Sequence, residues 1–197
     1  MIAEEYGQTM EDDLIEDDSK VLRAVAQGDR DAFKVLYHRY YTKLSRFAFR
    51  ITQRTELVEE IVNDAMVVVW EKAATYKGAS KVSTWIFGIT YHKAIKTVQK
   101  WSRVNQQLDN DYQQLNQLPD AGQGISNVQL TRDLQAMLTQ LPAEQRAVVE
   151  LTFYYGYSYP EISAIVDCPV NTVKTRMFHA RRKLRELLPE GIKYPEP

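Results

Sequence analysis

Six basic side chains and no acidic one occupy the residues from Lys174 to Arg185. Ammonium and guanidinium groups at this density favour a polyanionic partner such as nucleic acid, although a run of like charge is often only a solvated face. The net charge of −1 conceals this feature, because residues 1–19 carry a charge of −8 and residues 20–104 carry +9. A nucleic acid partner is therefore compatible with a chain that is almost neutral.

The residues that precede and include the basic run have the pattern of two helices joined by a tight turn. Ser158 and Glu161 have the spacing of a capping box, and Pro160 stands in the first turn of the short helix that they begin. Residues 167–169 form a turn, and a longer helix follows. The apolar inner face of that helix consists of Val170, Val173, Met177, Ala180 and Leu184. Together these features predict a helix-turn-helix.

The outer face of the longer helix offers side chains that can read base edges in the major groove of DNA. An α-helix fits that groove, where amide, hydroxyl and guanidinium groups meet base edges and an aromatic ring can meet a thymine methyl. The outer face consists of Asn171, Lys174, Thr175, Phe178 and Arg182, flanked by His179 and Arg181. Arg182, Lys183 and Arg185 suit phosphates better than bases. The alternative is a basic helix that only covers a core.

The other reactive side chains do not favour an enzyme. His38, His92 and His179 lie in three separate segments without the spacing of a metal site. Cys168 is the single cysteine, so the chain has neither an intrachain disulfide nor a multi-cysteine zinc site. The sequence lacks a nucleophile elbow, a P-loop and a dinucleotide-binding motif. We expect no catalytic residues, no metal and no cofactor.

Helical periodicity predicts an all-α fold in two small domains. Apolar residues recur at helical spacing from Phe33 to Ile51, whereas residues 104–127 are rich in Gln and Asn and have no apolar period. The segment 76–84 is predicted to be a loop. The expected order is an acidic disordered tail (1–18), a first helical domain (19–103), a flexible linker (104–127) and a C-terminal helix-turn-helix domain (128–190).

Nothing in the sequence predicts membrane insertion or export. The longest apolar run, residues 65–70, is far too short to span a bilayer. The acidic start of the chain lacks the basic and apolar regions of a signal peptide. We therefore expect a soluble protein in the reducing cytoplasm.

Three stretches, in this order, resemble the extracytoplasmic-function (ECF, group IV) sigma factors of bacterial RNA polymerase. They are TELVEEIVNDAMVVVW (55–70), STWIFGITYHKAI (83–95) and LPAEQRAVVELTFYYGYSYPEISAIVDCPVNTVKTRMFHARRKLRELL (141–188). In that family the first stretch binds polymerase, the second engages and melts the −10 promoter element, and the third reads the −35 element. The resemblance covers about residues 20–188 and implies a non-catalytic factor that directs promoter-specific transcription initiation.

The resemblance also implies roles for individual residues. The positions that would bind core RNA polymerase, at the clamp helices of its largest subunit, are Glu59, Glu60, Asn63, Asp64 and Val67. The expected −10 contacts are Lys77, Lys81, Tyr91, His92, Lys93, Lys96 and Lys100. In the −35 domain the base-reading positions match Lys174, Thr175, Arg176, Phe178 and His179, which join Asn171, Arg181 and Arg182 from the outer face. Trp85 is expected in the core rather than as a platform for a base.

The sequence departs from the family pattern at five of the positions considered. Asn63 replaces a common Gln, His92 a usual Asn, and Lys96 a frequent Asp, and the last two changes bear on the −10 preference. Asp167 and Asn171 stand where Gly is usual in the turn and after it. Asp and Asn tolerate a left-handed backbone better than most residues, so we expect the turn to survive.

Three interpretations remain open from the sequence. The C-terminal domain also suits a stand-alone helix-turn-helix repressor or activator, which would leave the aromatic and lysine-rich stretch 76–101 unexplained. The acidic tail either covers the basic DNA-binding surfaces until polymerase binds or only solubilises the chain. Cys168 is expected to be a half-buried thiol rather than a redox switch. The resemblance implies, in addition, control by an anti-sigma factor.

Overall fold

The computed structural model of the protein describes residues 18–105 and 128–187. All regular structure within those two ranges is helical, and the prediction of an all-α fold is confirmed. Residues 1–17 of the predicted tail, residues 106–127 of the predicted linker and residues 188–197 lie outside the described ranges.

Each described range contains four α-helices. The first range holds α1 (18–26), α2 (Arg30–Thr52), α3 (Val58–Lys72) and α4 (Val82–Asn105), with short 3₁₀ turns at Thr55–Leu57 and Ala73–Thr75. The second range holds α5 (Val128–Thr139), α6 (Ala143–Phe153), α7 (Tyr159–Val166) and α8 (Val170–Leu187).

Helix α2 is the central element of the first half, and its ends follow from local chemistry. Asp29 Oδ1 accepts hydrogen bonds from the backbone N–H groups of Asp31 (2.9 Å) and Ala32 (3.0 Å), which caps the helix. The helix ends where Gln53 adopts a left-handed conformation with φ 57°. The predicted apolar stripe faces inward, with Leu36, Tyr40, Leu44, Phe47, Ala48 and Ile51 buried. This stripe packs on α3 and α4, which also pack on each other.

Helix α1 folds back along α2. The Asp18 carboxylate at its N-terminal end accepts hydrogen bonds from the side chains of Arg39 and Tyr40, while its other end lies four residues before α2 begins. Leu22 and Val25 of α1 are buried against the core. The two helices are therefore antiparallel, and Asp18, which was assigned to the tail, is a structured helical residue.

The second half contains the predicted helix-turn-helix. Glu161 Oε2 accepts from the backbone N–H of Ser158 at 2.9 Å, as expected for a capping box at the start of α7, and it also accepts from the Ser158 hydroxyl at 2.7 Å. Asp167 ends α7 in a left-handed conformation with φ 49°. Val173 and Met177 are buried on the inner face of α8, as is Ala180.

Helix α4 is longer than the sequence indicated at both ends. It begins at Val82, where a loop was expected to continue through residue 84, because Val82 and Thr84 are buried and anchor its first turn. It runs to Asn105, so its last turn enters the segment assigned to the linker.

The two halves pack against each other and share one hydrophobic core, a contact that the sequence did not predict. Helix α6 lies on α2, and α7 lies on α4. The Tyr155 ring from the turn between α6 and α7 packs on Phe47 of α2 (centroids 5.7 Å apart) and Phe87 of α4 (4.8 Å). Its hydroxyl donates to the Lys43 carbonyl at 3.0 Å.

Candidate polymerase and promoter surfaces

One face of α3 carries the residues expected to bind polymerase. Glu59, Glu60, Asn63, Asp64 and Val67 are all exposed, and the Val67 side chain is 52% exposed. Their spacing places them on neighbouring turns of one helix face. The opposite face is buried in the core through Val58, Ile61, Val62, Ala65, Met66 and Val69. The amphipathic pattern of α3 thus holds these five side chains on a rigid support, directed to solvent.

Two hydrogen bonds connect this face with neighbouring helices. The Tyr37 hydroxyl of α2 donates to Asn63 Oδ1 at 2.8 Å. The Lys93 ammonium of α4 donates to Asp64 Oδ2 at 2.9 Å. Lys93 belongs to the expected −10 set and Asp64 to the expected polymerase set, so the two surfaces are contiguous.

A basic ridge follows the solvent side of α4. His92, Lys96 and Lys100 are exposed at four-residue spacing, which aligns them along the helix. Lys77 and Lys81 are exposed before the helix begins, and Lys81 lies 3.4 Å from Glu161 of α7. Five of the seven expected −10 residues are thus exposed, and a sixth, Lys93, is half-buried.

The remaining member of the expected −10 set, Tyr91, is buried. It is only 3% exposed, and burial raises the pKa of its phenol, while the positive charge of Arg176 of α8 acts in the opposite direction. Packing of the second half on α4 therefore removes this ring from the surface in the described arrangement. Trp85 is half-buried with its ring against Tyr76, at a centroid distance of 5.4 Å.

The outer face of α8 is available to a ligand. The exposed members of the −35 set are Asn171, Lys174, Thr175, Phe178, Arg181 and Arg182. Phe178 is 62% exposed. Arg176 and His179 are half-buried, and the Thr175 hydroxyl donates to the Asn171 carbonyl at 2.9 Å. Amide, hydroxyl and cationic groups around an exposed ring are compatible with contacts to base edges in a major groove.

The turn of the helix-turn-helix accommodates its unusual residues in two ways. Asp167 adopts the left-handed conformation that Gly would otherwise supply. Asn171 lies inside α8, so no special backbone conformation is needed there. Cys168 is half-buried, and its sulfur lies 3.9 Å from Arg176 Nη1.

A buried polar cluster between the halves was not identified from the sequence. The Arg146 guanidinium of α6 donates to the carbonyls of Arg50 (3.2 Å) and Ile51 (3.4 Å), which are among the last carbonyls of α2. It also donates to the carbonyls of Thr139 and Leu141. Burial lowers the pKa of Arg146 to about 10, while the charge of Glu150 raises it, so the group stays protonated at neutral pH.

Glu150 completes this cluster from the next turn of α6. It is 2% exposed and lies 3.3 Å from Arg50 of α2, whose guanidinium also stacks on the Tyr154 ring at 4.1 Å. Burial raises the pKa of Glu150, and Arg50 opposes that shift. The available signal in the sequence was an Arg and a Glu four residues apart on either side of the apolar residues 147–149.

No helix within the described ranges has the length and apolar character needed to cross a membrane. In the same ranges, no group of three or more His, Cys, Asp or Glu side chains could hold a metal ion.

Comparisons with known proteins agree with this arrangement of surfaces. Residues 36–104 match the family described as Sigma-70 region 2, and residues 131–184 match Sigma-70, region 4. The ECF RNA polymerase sigma-E factor of Escherichia coli K12 is 27% identical over 176 residues, which cover 85% of this chain and 92% of that protein. The Haemophilus influenzae sigma-E factor is 26% identical over 177 residues, with 85% and 93% covered.

Solved structures of sigma factors are also similar to this chain. The sigma factor RpoE of Bartonella quintana, crystallised with the anti-sigma factor NepR, is 27% identical with a TM-score of 0.66, over 79% of this chain and 95% of that one. CnrH, solved with the cytosolic domain of CnrY, shares the fold at 23% identity and a TM-score of 0.63, over 86% and 96%. Two sigma-70 regions in the expected order, on a fold that presents both, identify this chain as a member of the ECF group of the sigma-70 family, a factor that directs RNA polymerase to promoters.

Proposed function

We propose that this sigma factor binds core RNA polymerase through the exposed face of α3, defined by Glu59, Glu60, Asn63, Asp64 and Val67. The observation that carries the proposal is the division of α3 into a fully buried face and an exposed one of mixed acidic, amide and apolar character. The clamp helices of the largest polymerase subunit are the proposed docking site. Acidic groups around an exposed apolar residue suit a partner with basic residues around an apolar patch.

The promoter contacts are divided between the two halves. The ridge of α4, with His92, Lys96 and Lys100, is proposed to hold the −10 element, where ammonium groups neutralise phosphates. The outer face of α8, with Lys174 and Phe178 at its centre, is proposed to read the −35 element in the major groove. Tyr91 is proposed to reach separated bases only after the second half leaves α4, because its ring is buried in the docked arrangement.

Control by an anti-sigma factor is part of this proposal. The related RpoE of Bartonella quintana was crystallised with the anti-sigma factor NepR. By analogy, we propose that an anti-sigma partner binds this chain and withholds it from polymerase. The site of action is then the cytoplasm, together with polymerase.

Run-off transcription tests the polymerase surface with two matched variants. Val67 and Val35 are both exposed valines inside α-helices, at 52% and 47%, but only Val67 belongs to the proposed face. With bacterial core polymerase and fragmented genomic DNA, the unsubstituted protein should give new discrete transcripts. V67D should remove them, because a carboxylate would replace the apolar centre of the contact and face the partner's apolar patch, whereas V35D should retain them.

Three results would contradict the proposal. Full activity of V67D would exclude this face as the polymerase contact. Equal loss in V35D and V67D would point to a general effect of adding a surface charge. Transcripts absent from all reactions, together with binding of duplex DNA that needs no polymerase, would favour a stand-alone repressor or activator.

A further inference from the structure

Tyr37 of α2 is not among the residues expected to bind polymerase, yet its hydroxyl contacts one of them. The hydroxyl donates to Asn63 Oδ1 at 2.8 Å, across 26 residues of sequence. Asn63 is exposed at the centre of the α3 face that is proposed to bind polymerase, and Tyr37 is half-buried. The hydrogen bond therefore connects a residue outside the proposed face to the middle of that face.

Other aromatic rings hold the Tyr37 ring in place. It stacks on Tyr41, one turn further along α2, with centroids 5.3 Å apart, and it lies 6.3 Å from Phe33 on the preceding turn. Phe33 in turn meets Trp70 of α3 edge-on at 5.2 Å. Offset-stacked and edge-to-face contacts are the favoured arrangements of aromatic pairs, so they restrict where each ring can lie. The Tyr37 hydroxyl is thus held at a defined position beside α3.

The hydroxyl of Tyr37 is a hydrogen-bond donor over the whole neutral range of pH. Burial raises the pKa of its phenol above the usual 10, and the nearby Tyr41 and Glu59 shift the pKa in the same direction. The phenol therefore keeps its proton, which it donates to Asn63.

This hydrogen bond determines which atom of the Asn63 amide is left for a partner. A primary amide has one acceptor oxygen and a nitrogen with two N–H donors. The oxygen is engaged by Tyr37, whereas none of the residues in the ranges 18–105 and 128–187 accepts a hydrogen bond from Asn63 Nδ2. Asn63 thus presents a donor to solvent, and the group that it suits is an acceptor oxygen, such as a backbone carbonyl or a carboxylate.

We propose that Tyr37 is a positioning residue for polymerase binding, which holds the Asn63 amide so that Nδ2 faces an acceptor oxygen of polymerase. An exposed side chain that rotates freely loses conformational freedom when it binds, and this loss weakens association. A side chain that is already held in its bound orientation avoids most of the loss. The inference rests on the proposed function of the α3 face, to which it adds a residue of α2 and the chemistry of the group that Asn63 meets.

Surface plasmon resonance with immobilised core polymerase tests the inference in the full chain. Y37F removes only the hydroxyl and should weaken binding by about five-fold. Y41F is the matched control, because Tyr41 is the neighbouring half-buried ring and its hydroxyl has no hydrogen-bond partner among the described residues. Y41F should bind as the unsubstituted protein does. Thermal unfolding checks that both variants are folded at the temperature of the assay.

A double-mutant cycle with N63A separates positioning from a general effect on packing. N63A should weaken binding by at least as much as Y37F, because it removes the whole amide. In the N63A background, Y37F should change the affinity by less than about two-fold, since no amide remains to be oriented. A five-fold loss in both backgrounds, or no loss from Y37F in either, would overturn the inference while leaving the α3 face as the contact. Full affinity of N63A would instead contradict the proposed role of Asn63 in that face, and the inference with it.

N63D tests the chemistry of the polymerase group. This variant keeps an oxygen that accepts from Tyr37 but replaces the Nδ2 donor with a second acceptor. It should bind polymerase no more tightly than N63A does, because two acceptor oxygens would then face each other without a proton between them. Tighter binding of N63D than of N63A would mean that polymerase supplies a donor or a cation at this point, which would overturn the proposed orientation of the amide.

Discussion

Two exposed phenylalanines in the second half allow the −35 contact to be tested at a single side chain. Phe178 of α8 is 62% exposed and Phe153 at the end of α6 is 65% exposed, so truncating either one costs little core packing. F178A should weaken binding of duplex promoter DNA by about 1 kcal/mol or more, about five-fold, because a contact with a base is lost. Fluorescence anisotropy at fixed salt measures this. F153A should lose less affinity than F178A does, because the Phe153 ring only supports Arg181 of the −35 set, whose guanidinium lies 5.9 Å from the ring centroid.

Glu161 gives a pH-dependent test of the start of the helix-turn-helix. Partial burial raises the pKa of its carboxyl, but the hydrogen bonds from Ser158 and the ammonium of Lys81 outweigh burial and lower it below the usual 4.5. Because the pKa of this carboxyl is lower in the folded state, its charged form stabilises the folded protein at pH values above the unfolded-state pKa. This stabilisation is lost as the pH falls through the folded-state pKa. E161Q should therefore cost about 1 kcal/mol at pH 7.

The difference in the free energy of unfolding between E161Q and the unsubstituted protein should shrink as the pH falls below 4.5, where both side chains become neutral. Urea unfolding at pH 7 and at lower pH values measures it. A difference that is constant with pH would assign the effect to lost packing instead of to the charged cap.

Arg146 makes a sharp test of how α6 attaches to α2. Its guanidinium donates to four carbonyls, two of them in the last turn of α2. R146M should destabilise the protein by about 3 kcal/mol, because buried carbonyls lose their donors and Glu150 loses a nearby cation. R146K should rescue only part of this loss, since one ammonium cannot span the four acceptors. Urea unfolding distinguishes the three proteins, and equal stability of all three would mean that water replaces the guanidinium.

Most of the helices can be predicted from the sequence, because the apolar periodicity and the cap residues that define them are local features. The stripe from Leu36 to Ile51, the Ser158–Glu161 cap and the inner face of α8 all follow from the 3.6-residue period and from cap chemistry within a few residues. The start of α4 was misplaced because burial of Val82 and Thr84 depends on tertiary packing. The polymerase set is exposed throughout, and so are six of the eight −35 residues, whereas Arg176 and His179 are half-buried because α8 packs on the rest of the second half.

The contact between the halves could not be predicted in the same way. Phe47, Phe87 and Tyr155 meet across long sequence separations, and each would suit the core of its own half equally well. For the same reason, the burial of Tyr91 beside Arg176 of α8 could not be predicted from local patterns. Local patterns identify which residues are apolar, but not which of two domains covers them.

The docked arrangement of the two halves limits the distance between the two promoter elements that α4 and α8 can contact at the same time. Elements at −35 and −10 are about 25 base pairs apart, which is about 85 Å along B-DNA at 3.4 Å per step. A compact chain of this length has a radius of gyration of about 16 Å. The docked form therefore cannot place α8 on one element and α4 on the other, so the halves must separate when both are bound.

The close approach of α4 to α7 at Gly88 provides a way to separate them. A Cβ at Gly88 would lie 3.4 Å from the backbone oxygen of Ile165 and 3.7 Å from its Cα, which is ordinary contact. G88A should therefore keep the halves docked and strengthen α4, since Ala favours a helix by about 1 kcal/mol over Gly. G88L has no room for its additional carbons against that backbone, so α7 must move away from α4.

Small-angle X-ray scattering compares the three proteins. The radius of gyration of G88A should match that of the unsubstituted chain, while that of G88L should increase as the second half leaves the first. Because undocking also uncovers the Tyr91 ring, which is 3% exposed when docked, G88L should bind single-stranded −10 DNA more tightly than G88A does. An increase in radius without tighter binding would show that Tyr91 is a core residue of the first half and not a base contact.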